Sequence, residues 1–161
     1  MARRNGAQQT PEEVLETHFG GPDSGVFTDG SCEPNPGPGG WGWVWVEGGE
    51  IRAEGHGREP DTTNNRMELR ALIEAIAALP DDRDLVVYSD SQLCVKTINE
   101  WAPGWEARGW KRKSGPIKNL DLVKQLLALV RSKPRVEVQW IRAHDGTRWN
   151  EYADALASLG S

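Results

Sequence analysis

Hydrophobic periodicity constrains the fold of this chain most, because it changes partway along from a period of two residues to one of about 3.6. In residues 41–46 the tryptophans alternate with other residues, so Trp41, Trp43 and Trp45 share one face of a predicted strand. Turn-forming residues separate this strand from predicted strands at residues 25–29 and 51–57. Three strands joined by short turns predict an antiparallel meander.

Helices alternate with strands in the rest of the chain. A helix predicted for residues 61–79 ends at Pro80 and has one apolar stripe, formed by Leu69, Leu72, Ile73, Ile76 and Leu79. It is followed by a strand at residues 85–88, a helix capped by Ser89 or Asp90, a helix around residues 122–130, a strand at 136–140 and a helix at 150–159. This order predicts an α/β fold: a mixed five-stranded sheet, three strands antiparallel plus two parallel, flanked by helices.

Length and composition indicate a single domain. The 161 residues, 37% of them hydrophobic, suffice for one core. We divide the chain into an N-terminal tail at residues 1–22 and a domain at residues 23–161. The tail is expected to be disordered or to form a short helix that starts at Thr10 and Pro11. The tail contains no residue pattern that indicates a catalytic or binding site, and we expect its deletion to leave activity nearly unchanged.

Targeting signals and cysteine usage favour the cytoplasm. No apolar run reaches the roughly 18–20 residues of a membrane span, and no apolar stretch of a secretory signal follows Arg3 and Arg4. Cys32 and Cys94 form no Cys-x-x-Cys pair, so we expect both to be reduced thiols in a reducing compartment.

Charge is unevenly distributed along the chain. The net charge of −5 taken alone argues mildly against a nucleic-acid partner, because polyanions favour basic surfaces. Between residues 105 and 118, however, five basic residues face a single acid, Glu106; they are Arg108, Lys111, Arg112, Lys113 and Lys118. This segment is either a solvated charged loop or a local nucleic-acid contact.

Four acidic residues stand at the ends of predicted elements or beside apolar positions. Asp29 and Asp90 end two strands that are predicted to be parallel, and the carboxyl ends of such strands meet at one edge of a sheet. Glu68 borders the apolar helix stripe, and Asp154 lies among apolar residues of the last helix. Converging carboxylates repel one another and need a cation, and oxygen ligands suit Mg²⁺ or Mn²⁺ rather than Zn²⁺.

An ordered set of motifs covers residues 24–160. It comprises TDGSC at residues 28–32, NPGPGG at 35–40, TTNNRMEL at 62–69, YSDSQ at 88–92, and His144 followed by NEYAD at 150–154. In order and spacing these motifs resemble bacterial-type ribonuclease H, the type 1 enzyme. The resemblance implies a ribonuclease H-like sheet and a catalytic domain at residues 23–161. It also implies an endonuclease that cuts the RNA strand of RNA–DNA hybrids and leaves 3′-hydroxyl and 5′-phosphate ends. The expected cofactor is a pair of Mg²⁺ ions, with Mn²⁺ as an alternative. We expect a monomer.

The same resemblance implies roles for individual residues. Asp29, Glu68 and Asp90 match the core metal ligands, and Asp154 the fourth carboxylate. His144 matches a histidine on a mobile loop that helps proton transfer or product release, although Ala143 replaces the family's glycine before it and Asp145 follows it. The RNA minor groove would be lined by Asn35, Asn64, Asn65 and Gln92, although Asn64 and Asn65 could equally be turn and cap residues.

A protruding basic segment, the handle, is implied to hold the DNA strand. Its matching residues are Trp101, Trp105, Arg108, Trp110 and Lys111, and Thr63 would join a DNA phosphate pocket. Interleaved aromatic and basic residues suit stacking and phosphate contacts. Glu106 and Ala107 stand where more basic members have positive residues, and Val123 where one known pattern has tryptophan. We therefore expect binding that is weaker and more salt-sensitive than in a basic homologue.

Three other functions are compatible with parts of the sequence. A non-catalytic nucleic-acid-binding module on the same fold would be expected to lack a carboxylate, and none is missing. Another nuclease of this fold, such as a junction resolvase or a reverse-transcriptase fragment, is disfavoured by the handle and the asparagine set. A binding or scaffold protein with accidental acidic residues is disfavoured by the motif spacing.

Overall fold

A computed structural model describes residues 9–161 and contains one five-stranded sheet. Its strands are β1 (Gly25–Cys32), β2 (Gly37–Glu47), β3 (Glu50–Thr62), β4 (Leu85–Ser89) and β5 (Val136–Trp140), in the order β3-β2-β1-β4-β5. Strands β1, β2 and β3 pair antiparallel, whereas β4 and β5 run parallel to β1. The predicted mixed sheet is confirmed.

The helices cover both faces of this sheet. They are α1 (Pro11–Thr17), α2 (Asn64–Ala78), α3 (Gln92–Lys96), α4 (Ala102–Ala107), α5 (Leu120–Ser132) and α6 (Arg148–Ala157). A π-helical turn at Thr97–Trp101 joins α3 to α4. None of the helices described for residues 9–161 is long and apolar enough to cross a membrane.

Each face of the sheet has its own apolar core. On one face the alternating Trp43 and Trp45 of β2 are buried with the apolar stripe of α2 and with α5, while Trp41 is partly buried there. On the other face, Phe27 of β1 and Val44 of β2 pack against Trp149 and Tyr152 of α6. Alternate strand residues therefore point into different cores, as the period of two predicts.

Two glycines allow helices to approach the sheet closely. An added Cβ at Gly42 of β2 would lie 2.7 Å from the backbone nitrogen of Ala157, so α6 rests on the bare strand backbone. An added Cβ at Gly30 of β1 would lie 2.3 Å from the backbone nitrogen of Glu68. The second contact brings the beginning of α2 against β1 beside Asp29.

Some predicted element ends were wrong. Strand β1 continues beyond Asp29 to Cys32, because β2 stays paired with it as far as Cys32, whereas its pairing with β4 ends at Thr28. The α3 cap is neither Ser89 nor Asp90 but Ser91, whose hydroxyl accepts a hydrogen bond from the Cys94 amide at 3.1 Å.

Candidate metal centre and nucleic-acid interface

The pairing of the central strands places Asp29 and Asp90 at one edge of the sheet. The parallel ladder between β1 and β4 ends where Thr28 pairs with Ser89, and Asp29 and Asp90 are the next residues of the two strands' chain segments. In addition, the Thr28 hydroxyl donates a hydrogen bond to the carbonyl of Tyr88 at 2.9 Å. Both carboxylates thus leave the sheet at the same point, as predicted from the carboxyl ends of parallel strands.

Helix α2 brings a third carboxylate to this edge. Thr63 caps the helix, since its hydroxyl accepts a hydrogen bond from the Arg66 amide at 3.2 Å. Glu68 follows in the second turn, where its side chain is buried and accepts a hydrogen bond from the Gly30 amide. Backbone contact between β1 and α2 therefore orients Glu68 toward the sheet rather than toward solvent.

Carboxylate oxygens of Asp29, Glu68 and Asp90 all lie within 4.8 Å of one another. Burial, followed by the charges of Glu68, Asp90 and Asp154, raises the pKa of Asp29 well above its ordinary value. Burial and the charge of Asp90 likewise raise the pKa of Glu68. The fold holds these groups together against their mutual repulsion.

This donor set fits a divalent cation. It offers several carboxylate oxygens and contains neither thiolate nor imidazole, which suits Mg²⁺ or Mn²⁺. A bound cation would offset both the repulsion and the loss of hydration that raise the pKa values of Asp29 and Glu68. Asp29, Glu68 and Asp90 are therefore the residues positioned to hold such ions.

Helix α6 adds Asp154 beside this cluster. Asp154 is only 7% exposed and lies close enough to Asp29 for its charge and a hydrogen bond to raise the pKa of Asp29. Ligand atoms of Asp154, Glu151 and His144 also lie within 4.8 Å of one another. The fourth carboxylate thus connects the buried cluster with the loop that carries His144.

His144 lies on the exposed loop between β5 and α6. Its backbone has a φ of 52°, in the left-handed region, and its side chain is 69% exposed. Nδ1 of the imidazole is 3.1 Å from Oε2 of Glu151, whose side chain is only 11% exposed. The contact holds one ring nitrogen and leaves Nε2 for other partners.

Polar side chains extend from the metal centre along one surface. The Asn35 side-chain oxygen accepts a hydrogen bond from the Asn64 amide at 3.1 Å, which joins the loop after β1 to the beginning of α2. Asn65 is exposed beside it, and Gln92 is exposed at the beginning of α3. The structure brings Asn35 and Asn64 together, so Asn35 helps to cap α2 whatever else it does.

A groove leads from Asn65 to the handle, which comprises residues 101–118. Asn65, Trp101 and Trp105 line a cavity of about 140 Å³, together with Arg112, Lys118 and the small Val123 of α5. The ring centroids of Trp101 and Trp105 are 6.2 Å apart, and Trp101 is 41% exposed. Aromatic faces therefore stand open to solvent within reach of basic side chains.

Basic residues line the outer part of the handle. Arg108, Lys111, Arg112 and Lys113 surround one concave surface, and Arg112 lies over the Trp105 ring at 5.7 Å. Trp110, which has a φ of 64°, donates its amide to the Trp105 carbonyl at 2.7 Å and faces Lys124 of α5. The side chain of Glu106, the acid of this segment, forms an ion pair with Arg131 of α5. Glu106 is thus already paired within the protein.

Two residues near the metal centre escaped the sequence analysis. Glu151 falls inside the last motif, and its spacing of three residues from Asp154 on one helix was the signal that both share a face. Trp140 shares a face of β5 with the buried Val136 and Val138, but it is itself 43% exposed, and its indole N–H donates to the Asp90 carbonyl at 3.2 Å. The indole therefore holds the backbone of Asp90 at the rim of the metal centre.

Sequence comparisons agree with this geometry. The family model described as RNase H matches residues 22–161. The ribonuclease H of Herminiimonas arsenicoxydans is 50% identical over 136 residues, covering 84% of this chain and 92% of that protein. The ribonuclease H of Polaromonas naphthalenivorans is 49% identical over 137 residues, covering 84% of each chain.

Solved structures show the same architecture. LC9-RNase H1, described as a type 1 RNase H with the type 2 active-site motif, is 38% identical with a TM-score of 0.71, covering 86% of this chain and 72% of that one. RNase H1 from Halobacterium salinarum is 30% identical with a TM-score of 0.60, covering 82% of this chain and 92% of that one. The chain therefore belongs to the ribonuclease H family and is an enzyme of that family.

Proposed function

We propose that this enzyme is an endonuclease that hydrolyses the RNA strand of RNA–DNA hybrids with two Mg²⁺ ions and leaves 3′-hydroxyl and 5′-phosphate ends. The observation that carries the proposal is the convergence of carboxylate oxygens of Asp29, Glu68 and Asp90 within 4.8 Å of one another. LC11-RNase H1, a structure of the same fold at 24% identity and a TM-score of 0.61, is a complex with an RNA/DNA hybrid.

The carboxylates would hold the metal ions in this reaction. When bound, a pair of divalent ions activates a water and stabilises the leaving 3′ oxygen of an in-line displacement. Asp29, Glu68 and Asp90 provide the buried part of the donor set, and Asp154 adds a carboxylate on the side of α6. The close contact of β1 with α2 keeps Asp29 and Glu68 oriented, and the Trp140 indole holds the backbone of Asp90, before any substrate arrives.

His144 is proposed to move a proton or to assist the departure of product. Glu151 lies at Nδ1, which leaves Nε2 of the exposed ring to face the substrate. A general acid or base must come within hydrogen-bond reach of the proton that it moves, and the exposed ring of His144 is accessible to a bound substrate.

Selection of RNA is proposed to rest on the amide-bearing residues. RNA differs from DNA by its 2′-hydroxyl groups, which are exposed in the shallow minor groove of a hybrid. Asn35, Asn64, Asn65 and Gln92 expose side chains beside the metal centre, where they can donate to and accept from these hydroxyls. Backbone phosphates of the RNA would then reach the carboxylate cluster.

The handle is proposed to hold the DNA strand. Trp101 and Trp105 offer ring faces for sugars or bases, and Arg108 and Lys111 are exposed for phosphates. Trp110 supports the handle through its hydrogen bond to Trp105, and Thr63, the N-cap of α2, is proposed as a contact to a DNA phosphate. The carboxylate of Glu106 reduces the positive charge of the handle less than its sequence position implies, because it forms an ion pair with Arg131 of α5.

A cleavage assay on matched substrates tests the proposal. The RNA–DNA hybrid, the double-stranded RNA and the double-stranded DNA of one sequence are each incubated with the full chain and Mg²⁺, with EDTA as the control. Cleavage of the RNA strand of the hybrid alone, with 3′-hydroxyl and 5′-phosphate ends, is expected. Equal cleavage of double-stranded RNA, or cleavage in EDTA, would contradict the proposal.

The reaction is proposed to take place in the cytoplasm. Cys32 and Cys94 are both buried free thiols, which suits a reducing compartment.

A further inference from the structure

Residues 10–21, the N-terminal brace, pack against the part of the protein that carries His144. The family match begins at residue 22, so the brace lies outside it. The first part of the brace is α1, which Thr10 begins with a capping box: its hydroxyl accepts from the Glu13 amide, and the Glu13 carboxylate accepts from the Thr10 amide. The helix therefore carries its own start signal.

Val14 anchors the brace in the core. Its side chain is only 2% exposed and lies in the apolar cluster that contains Trp149 and Tyr152 of α6. Pro11 of the same helix is also buried. Burial of these apolar side chains fixes α1 against α6 rather than leaving it in solvent.

The end of the brace caps the beginning of α6. The first amides of a helix have no partners within the helix. Among the described residues, the side chain of the N-cap residue Thr147 caps none of these amides. Instead, the Arg148 amide donates to the Gly20 carbonyl at 2.9 Å, next to a parallel bridge between Gly20 and Thr147. The brace thus replaces a side-chain cap.

Arg148 joins the brace to α6 a second time. Its guanidinium donates to the Leu15 carbonyl at 3.1 Å. The guanidinium carbon is 5.4 Å from the centroid of the Phe19 ring and 5.3 Å from that of Trp149. A cation between two ring faces, with a hydrogen bond to the end of α1, favours a single orientation of the brace.

The loop that carries His144 is held by the domain at its beginning, by the brace at its end, and by Glu151 of α6 at His144 itself. At its beginning, the Ile141 amide donates to the Ser89 carbonyl at 3.0 Å. At its end, Thr147 and Arg148 contact Gly20, and an added Cβ at Gly20 would lie 2.9 Å from the Gly146 carbonyl oxygen. The exposed His144 stands between these anchors.

We propose that the N-terminal brace is a positioning element for His144: it fixes the α6 end of the His144 loop and so sets where the imidazole stands relative to Asp154. This inference rests on the proposed function, in which His144 assists hybrid cleavage. It replaces the expectation that residues 1–22 can be removed without effect; residues 1–8 lie outside the described residues.

A double-mutant cycle in the full chain tests the brace. Val14→Asp releases α1 from the core, and it is made in the chain with His144 and in the chain with His144→Ala. If the brace acts through His144, Val14→Asp lowers kcat for the hybrid at least about threefold when His144 is present, changes KM less, and leaves kcat of the His144→Ala chain unchanged. Glu16→Gln, on the exposed face of α1, is the matched control.

Hydrogen exchange gives a readout that does not depend on cleavage. Amides of residues 141–147 are expected to exchange faster in Val14→Asp than in Glu16→Gln, while amides of β1 and β4 do not change. If Val14→Asp does not fold, Phe19→Ala leaves Val14 buried and removes only one face of the Arg148 contact, with the same pattern expected at smaller size.

Other outcomes separate this inference from the proposed function. An equal loss of kcat in both chains, no loss in either, or unchanged exchange of residues 141–147 would overturn the positioning role. An absence of hybrid cleavage by the unmodified chain would instead overturn the proposed function, and the exchange experiment would still decide whether the brace fixes the loop.

Discussion

The backbone amide of Gly30 donates a hydrogen bond to Oε1 of Glu68, across the contact between β1 and the beginning of α2. An added Cβ at Gly30 would lie 2.3 Å from the backbone nitrogen of Glu68 and 2.3 Å from the carbonyl carbon of Met67. The two backbones therefore touch beside Asp29, and a residue without a side chain makes the metal centre possible.

Replacing Gly30 by alanine should damage stability and cleavage together. The added methyl group would overlap the backbone of Met67 and Glu68, so α2 must move away from β1. This movement lowers the unfolding free energy by about 1–3 kcal/mol. Glu68 moves with the helix, and Mg²⁺-dependent cleavage falls. Urea unfolding and the hybrid assay measure the two effects. Gly104→Ala in α4 is the control, since its Cβ would meet only the Arg108 guanidinium, at 3.4 Å. A Gly30→Ala protein as stable and active as the unmodified one would contradict the interpretation.

Replacing Asp29 by asparagine should abolish cleavage and stabilise the metal-free protein. Burial and neighbouring carboxylates raise the pKa of Asp29 in the folded state. A carboxyl group with a raised pKa binds its proton more tightly when folded, so metal-free stability falls as pH rises above about 4, the ordinary carboxyl pKa. The asparagine side chain carries no charge into the cluster, so the melting temperature of Asp29→Asn in EDTA at pH 7 should rise.

The control for this experiment is Asp81→Asn, which changes an exposed carboxylate in the loop before β4. It should alter neither cleavage nor the pH dependence of the melting temperature. Mg²⁺ should raise the melting temperature of the unmodified chain and of Asp81→Asn but not that of Asp29→Asn. Retained cleavage by Asp29→Asn, or a lower melting temperature in EDTA, would contradict the assigned metal centre.

Replacing His144 by alanine should slow turnover without abolishing it. A positioned general acid or base contributes about 10²–10⁴-fold, and the carboxylate cluster stays intact in the variant. We expect kcat to fall toward the lower end of that range, with the Asp29-dependent response to Mg²⁺ retained. His56→Ala, an exposed histidine of β3, is the matched control and should be neutral. Complete loss of cleavage would assign His144 a more direct role.

Salt dependence should report on the handle. Each lost phosphate contact lowers the slope of log K against log salt by about 1, so Arg108→Ala and Lys111→Ala should each reduce it by that amount. Glu106→Gln should raise hybrid affinity at low salt, because it frees Arg131 and removes a negative charge from the handle. Arg135→Ala, at a surface ion pair with Asp84, makes the same charge change as Arg108→Ala and Lys111→Ala and is the control. Unchanged slopes for Arg108→Ala and Lys111→Ala would remove both residues from the interface.

The sequence predicted elements and their order better than it predicted contacts. Alternation of Trp41, Trp43 and Trp45 indicated the inward face of β2 because strand geometry repeats every two residues. It could not reveal that β1 continues beyond Asp29, since strand ends depend on which neighbour remains paired. Thr10 and Pro11 indicated where a short helix could begin but not that Val14 anchors it, because that anchoring requires the surface of α6, which no local pattern describes.

The positions of Asp29 and Asp90 could be predicted because they depend on the topology of the sheet. The contact of Glu151 with His144 could not be predicted in this way. Asp29 and Asp90 come directly after the last paired residues of the parallel ladder between β1 and β4, and the topology of parallel strands determines where such residues meet. The contact between Glu151 and His144 depends on the path of an irregular loop, in which His144 has a left-handed backbone. Helical spacing pointed to the face that Glu151 shares with Asp154 but not to its partner.

The π-helical turn at Thr97–Trp101 has a consequence for how the handle can change. Successive residues of a helix are about 100° apart around its axis, and a π turn accommodates one more residue than an α turn. A π turn with its extra residue covers about the same angle as an α turn without it, so deleting a single residue within this turn would restore regular winding and leave the residues after it, including Trp105, facing the same way. A deletion in α3 or α4 before Trp105 would instead rotate Trp105 by about 100°, so the π turn is a place where the chain can lose one residue and keep the direction of the handle.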